Sequence, residues 1–219
     1  MQLAQLATAQ PAQALMGQPV NEFLALLFIF AAFTVPFCLE LPTYKRFYTV
    51  GWFISFCAVA AWILRATYPP PIDVFWHSHV ALDALREGTN PYTVLMPNIY
   101  ESDADSAIGT NAYGQPLTPD GKWVLGHYPY PPFTLMLASL GYLFGDMRWG
   151  NLAFIVGGAV VLVRSGGRFA TLGAALLLTS PRIFFVLENA WTDAYSFGLL
   201  AITAGLAARS SRLTPWVFG

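Results

Sequence analysis

Asp73 is the residue in this 219-residue chain best placed to take a proton. It follows the uncharged run Phe47–Leu64, then Arg65 and the triple proline Pro69-Pro70-Pro71, which cannot continue a helix. A carboxylate emerging there sits at the boundary between lipid and water, where partial desolvation suits it to general-base work. The competing structural reading is a helix N-cap ahead of Val74. A second acidic position is Asp193, in the polar island Glu188-Asn189-Ala190-Trp191-Thr192-Asp193 between two apolar runs. Acids cost little at a membrane boundary and far more at its centre. Glu188, Trp191 and Asp193 are therefore substrate-binding candidates, against the plain alternative of a polar loop.

Three further groups carry functional chemistry. Asn90-Pro91-Tyr92 follows Gly88 and reads as a turn with an interfacial aromatic, or as a binding loop. His127-Tyr128-Pro129-Tyr130-Pro131-Pro132 is a stiff aromatic entry to an apolar stretch. His127, Tyr128, Tyr130, Asn90 and Tyr92 are candidates for contacting substrate, with a solvated histidine and an aromatic belt as the plainer readings. Arg65 and Arg182 could meet a phosphate, or snorkel to headgroups. His77 and His79 lie two apart and point to different faces of a helix, which argues against a zinc pair. Gly157-Gly158 and Gly166-Gly167 lack a phosphate-cradling pattern, and Gly157, Gly158 and Ala159 suit close helix packing. No metal set is read from the sequence.

The elements that hold these residues follow from composition. Only 11% of residues are charged and mean hydropathy is +0.51. A soluble domain carries about a quarter charged residues, so lipid is the expected solvent. A net charge of −1 and the lack of a basic tract exclude nucleic acid as the expected partner. Cys38 and Cys57 lie inside apolar runs and read as buried free thiols. The first twenty residues hold no Lys or Arg, so a cleaved signal is not expected.

The expected organisation is a polar tail over 1–21, two transmembrane helices in 22–67, an extracytoplasmic loop over 68–147, three transmembrane helices in 148–208 and a tail over 209–219. The apolar runs are Phe23–Leu39 and Phe47–Leu64, both uncharged, then Trp149–Val163, Phe169–Leu187, which is interrupted by Pro181 and Arg182, and Tyr195–Ala208. The loop is expected to carry juxtamembrane helices at about 74–87 and 131–145. In the first, Val74, Ala81, Leu82 and Leu85 share an apolar face, and Gly88 is a suitable stop. Placing 131–145 on the surface gathers Lys45/Arg46, Arg164/Arg168 and Arg209/Arg212 on one side, as the positive-inside rule asks. Asp73 and Asp193 then share the opposite side, which suggests a common cavity.

Taken in order, these pieces resemble the first half of a GT-C superfamily glycosyltransferase, most nearly the polyprenyl-phosphate-mannose-dependent mannosyltransferases. The likeness rests on Ile72-Asp73-Val74 after a spanning helix, Gly88-x-Asn90-Pro91-Tyr92, Tyr128-x-Tyr130-Pro131-Pro132, Gly145-Asp146-x-Arg148, the basic turn at 164–168, Ser180-Pro181 and Trp191-Thr192-Asp193. It covers roughly residues 50–210. Asp73 is followed by Val74, so the paired-acid motif of some branches is absent, as are the later helices that bind the lipid phosphate. The chain therefore reads either as a fragment of a longer enzyme or as a half that works with a partner.

The resemblance implies an all-α polytopic GT-C-like bundle in the plasma membrane, with an extracytoplasmic active site. Asp73 would be the base, and Asp193 would help shape the donor or acceptor site. A sugar, mannose or another hexose, would pass with inversion from a polyprenyl-phosphate donor to a glycan or glycolipid acceptor among membrane lipids. No tightly bound cofactor is implied, and a divalent metal is left open. The alternative class is a non-catalytic membrane transporter or lipid-handling subunit.

Overall fold

The computed structural model describes residues 20–39, 44–99, 110 and 115–209. Most of the two expected tails lies outside the described residues. Eight helices are present among the described residues: α1 (Val20–Cys38), α2 (Lys45–Ala66), α3 (Asp73–Arg86), α4 (Pro132–Tyr142), α5 (Arg148–Ser165), α6 (Arg168–Thr179), α7 (Pro181–Glu188) and α8 (Asp193–Ala208). Strands β1 (Met96–Pro97) and β2 (Trp123–Val124) pair antiparallel, a short ribbon that the all-helical expectation did not include. The chain divides into two compact units. One holds 1–68 and 151–219, the other 69–150.

In the first unit α1 and α2 are long and apolar enough to cross a membrane. They run antiparallel: the Trp62 indole donates to Glu22, while Phe37 stacks on Trp52 at 3.9 Å between centroids. Lipid gives little hydrophobic drive for helix association, so such packing and polar contacts must join the pair. The buried Trp52 indole accordingly donates to Thr34 Oγ1 at 3.1 Å. A side chain at Gly51 would strike the Phe33 ring. Phe184 of α7 meets Phe30 and Phe56 of this pair. Cys57 is half-buried, but Cys38 is exposed near the end of α1, so the expected burial of both thiols holds only in part.

Of the three later runs, Phe169–Leu187 is two helices rather than one. Pro181 opens α7 at its first turn, where its missing N–H costs nothing, and the axis bends by 54° between α6 and α7. Counted as one broken span, the pair is a third candidate crossing. Helix α8 has 16 residues and α5 has 18. Gly158 and Gly198 let α5 and α8 touch backbone to backbone, and Gly205 fits against Val161. The matching order of these contacts along both helices means that α5 and α8 run in the same direction, with α6 and α7 returning the chain between them. Of the expected packing trio, Gly157 instead faces open space.

The second unit is built on α3. Its end is a Schellman turn: Thr89 N–H reaches Ala84 C=O at 2.8 Å and Gly88 N–H reaches Leu85 C=O, with Gly88 at φ +75°. Of the expected Val74/Ala81/Leu82/Leu85 stripe, Ala81 and Leu82 are buried, joined on the inner face by Phe75 and Ser78, while Val74 is half-buried and Leu85 exposed. The helix expected over 131–145 is the 11-residue α4, about 16 Å long at 1.5 Å per residue, half of a hydrocarbon core. Gly141 meets the backbone of Met147 and Gly150, too close for any side chain. At the corner after α4, Gly145 takes φ +89° and Arg148 is fully buried. Its guanidinium holds Asp146 through Nε at 2.9 Å and Nη2 at 2.7 Å, and lies 5.5 Å from the Phe75 ring centroid.

Removing one member of a buried ion pair strands the other, at a cost of about 3–5 kcal/mol. Asp146→Ala is expected to destabilise the 69–150 unit by about that amount, with Asp146→Ala/Arg148→Met recovering most of it. Thermal unfolding followed by near-UV circular dichroism in detergent checks this; an unmoved transition in the single variant would refute it.

Candidate functional site: a carboxylate–imidazole face and an apolar cleft

The backbone before α3 is preset for Asp73. The three prolines stiffen the approach, Ile72 N–H bonds Pro70 C=O at 2.9 Å, and Ile72 is extended at φ −138°, ψ 143°. Ile72 is thus the N-cap and Asp73 the first helical residue, one position later than expected. The half-buried Asp73 accepts the Val74 N–H on Oδ1 at 2.7 Å. The positive end of α3 favours the anionic carboxylate. Among the described residues its Oδ2 has no hydrogen-bond donor.

His77 lies one turn further along the same face, at the i+4 spacing that makes helical neighbours. It is buried. Burial pushes its imidazole below the usual histidine range, and the Asp73 charge and a hydrogen bond with the Pro97 carbonyl oppose that only in part. The site therefore presents a carboxylate beside a neutral imidazole. The sequence contained this signal in the Asp73/His77 spacing. Weighing His77 only against His79, as a zinc pair, hid it. His79 belongs to another contact: it stacks on Phe75, faces Asp83 at 3.7 Å and touches the Tyr142 ring, while Tyr142 donates to Asp83.

The aromatic candidates form a separate group. Tyr128 is buried, and desolvation pushes its hydroxyl up to about 12; among the described residues neither that hydroxyl nor the one on buried Ser78 has a hydrogen-bond partner. It remains a protonated phenol throughout the neutral range. Tyr128 packs edge-on against Tyr92 at 5.7 Å and Tyr130 at 5.5 Å, and Tyr92 OH donates to Tyr130 C=O at 2.9 Å. Asn90 forms the turn beneath, accepting the Tyr92 N–H on Oδ1 at 3.0 Å. Tyr92, Tyr128, Tyr130 and Asn90 are therefore one cluster. His127 is exposed, with Nδ1 3.3 Å from the Val94 carbonyl, and does not join the tyrosine stack.

Asp193 belongs to the other unit. It starts α8 and is exposed, with Thr192 as the N-cap. Together with Arg182, Ser180 and Trp191 it lines a cleft of about 480 Å³, whose walls are largely apolar side chains of α6, α7 and α8. Among the described residues no ion pair joins Arg182 to Asp193. Glu188 departs from expectation. It is the last residue of α7 and only 1% exposed, not a member of a surface loop. The turn after it closes in the Schellman pattern with Ala190 at φ +55°, a position that ordinarily takes glycine. Asn151 of α5 braces that turn from within the unit, donating to Trp191 C=O at 3.1 Å. Arg65 is exposed at the end of α2.

Among the described residues no group of three or more His, Cys, Asp or Glu side chains is placed to hold a metal ion. Comparison of the chain with protein-family models, with curated proteins and with solved structures finds no match.

A histidine whose folded pKa is depressed binds fewer protons folded than unfolded just below pH 6.5, so stability falls as pH drops through that window. His77→Gln is expected to flatten the fall in stability of the 69–150 unit between about pH 6.5 and 5. Denaturant midpoints at several pH values measure it; identical pH slopes in parent and variant would contradict the buried neutral imidazole.

Proposed function

We propose that this chain is a GT-C-type membrane glycosyltransferase, or part of one, acting at the extracytoplasmic face with Asp73 as its base. The observation that carries the reading is the presentation of Asp73. Directly after a candidate membrane span and three prolines, one carboxylate oxygen is fixed by the α3 amide and the other has no donor among the described residues. Supporting it are the adjacent neutral His77 and the Tyr92/Tyr128/Tyr130 cluster, whose aromatic faces suit a sugar ring.

In this reading Asp73 removes the proton from an acceptor hydroxyl as its oxygen attacks the anomeric carbon. The bond from that carbon to the lipid phosphate breaks on the opposite face, and the phosphate leaves with the bonding electrons. A single displacement inverts the anomeric centre. The donor is a polyprenyl-phosphate hexose, and the basic turns at 45–46, 164–168 and 209–212 lie on the cytosolic side of a multi-pass chain. The second reading, a transporter or lipid-handling subunit, draws on the apolar cleft of the other unit.

A positioned general base contributes about 10²–10⁴-fold. In the full-length protein in membranes, Asp73→Asn is expected to reduce transfer of labelled sugar from a synthetic polyprenyl-phosphate donor by at least about a hundredfold, with insertion unchanged. Undiminished transfer would remove Asp73 as the base. No transfer by the parent protein would favour the lipid-handling class.

A further inference from the structure

The cleft between α6, α7 and α8 carries a charge pattern that the proton transfer assigned to Asp73 does not use. Its walls include Leu176, Ile183, Val186 and Phe197, an apolar lining suited to a hydrocarbon chain. Two opposite charges also line it, Arg182 and Asp193, both exposed and not paired with each other. The pattern comes from the broken helix. The turn at Ser180-Pro181 and the 54° bend separate α6 from α7, and Arg182 is the second residue of α7. The sharp turn at Ala190 ends α7 and sets Asp193 at the head of α8.

The electrostatics select the occupant. Water satisfies the exposed guanidinium and carboxylate while the cleft is open, and a ligand that covers both must carry an anion and a cation to replace that hydration. An anionic lipid pairs with Arg182 but confronts Asp193. A fatty tail without a charged head leaves both side chains unmatched beside an apolar wall, where interactions between charges are stronger than in open water. The chain has helices long and apolar enough to cross a bilayer, so the molecules at hand are its lipids.

We propose that this cleft binds a zwitterionic glycerophospholipid, with Arg182 on the phosphate, Asp193 on the ammonium and one acyl chain along Leu176, Ile183, Val186 and Phe197. The phosphate accepts charge-assisted hydrogen bonds from the guanidinium, the stronger kind of hydrogen bond. This site does not depend on the sugar-transfer reading, since every residue in it lies in the unit that lacks Asp73.

Native mass spectrometry of the purified full chain in detergent tests it, with phosphatidylethanolamine, phosphatidylglycerol and polyprenyl phosphate added separately. Hydrogen bonds to charged groups contribute about 1.5–3 kcal/mol, or at least about tenfold in affinity. Phosphatidylethanolamine is expected to be retained about tenfold more tightly than phosphatidylglycerol. Arg182→Gln should weaken both phospholipids by a similar factor, with Arg182→Lys restoring part of the loss. Asp193→Asn should erase the preference between them. Equal retention of the two phospholipids by the parent, tighter retention of polyprenyl phosphate, or a preference untouched by Asp193→Asn would each overturn the proposal.

Discussion

A fully buried arginine is tolerable only where its charge is neutralised and its donors are occupied, and this requirement organises the unit that carries Asp73. Arg148 meets it with Asp146, two residues earlier, and with the face of Phe75 on α3. To reach Asp146 the chain must turn sharply after α4, which Gly145 permits at positive φ. To reach Phe75 it must lie against α3. One side chain thus ties the end of α4, the start of α5 and the first turn of α3 together. Asp73 is two residues before Phe75, so its direction follows from the same contact.

In the other unit α1 and α2 are long and apolar enough to cross a membrane, where apolar faces gain little by hiding from lipid, and they meet through ring stacking and an indole hydrogen bond. Helices α5 and α8 meet through glycines that let their backbones touch. The break at Ser180-Pro181 exchanges continuous helical hydrogen bonding for a bend, and the bend opens a cleft. The polar residues of the 188–193 segment are then sorted by the turn that follows α7: Glu188 goes inward, Asp193 outward.

Elements declared by composition or punctuation were legible in the sequence. The two long helices follow from uncharged runs and the end of α3 from Gly88. Residues placed by tertiary contact were not legible. Nothing in Glu188-Asn189-Ala190 announces that Ala190 will take a left-handed conformation and turn Glu188 into the interior. On α3 the burial of Ala81 and Leu82 was legible, but Val74 and Leu85 were not placed correctly, because periodicity gives a stripe but not its partner, and Phe75 faces Arg148 inside. His77 was passed over because its role depends on Pro97, distant in sequence, as well as on Asp73. The pairing of Asp146 with Arg148 was visible only as a motif, without the burial that gives it force.

The account rests most heavily on Asp73 facing the extracytoplasmic solvent from the boundary of the membrane. Its most direct test is thiol labelling in intact cells, with Cys38 and Cys57 replaced by serine and a single cysteine introduced by Asp73→Cys or, at the other end of α3, by Glu87→Cys. Both cysteines should react with a membrane-impermeant maleimide added outside, before any permeabilisation. Labelling that occurs only after the membrane is opened would place α3 on the cytosolic side and contradict the proposed site.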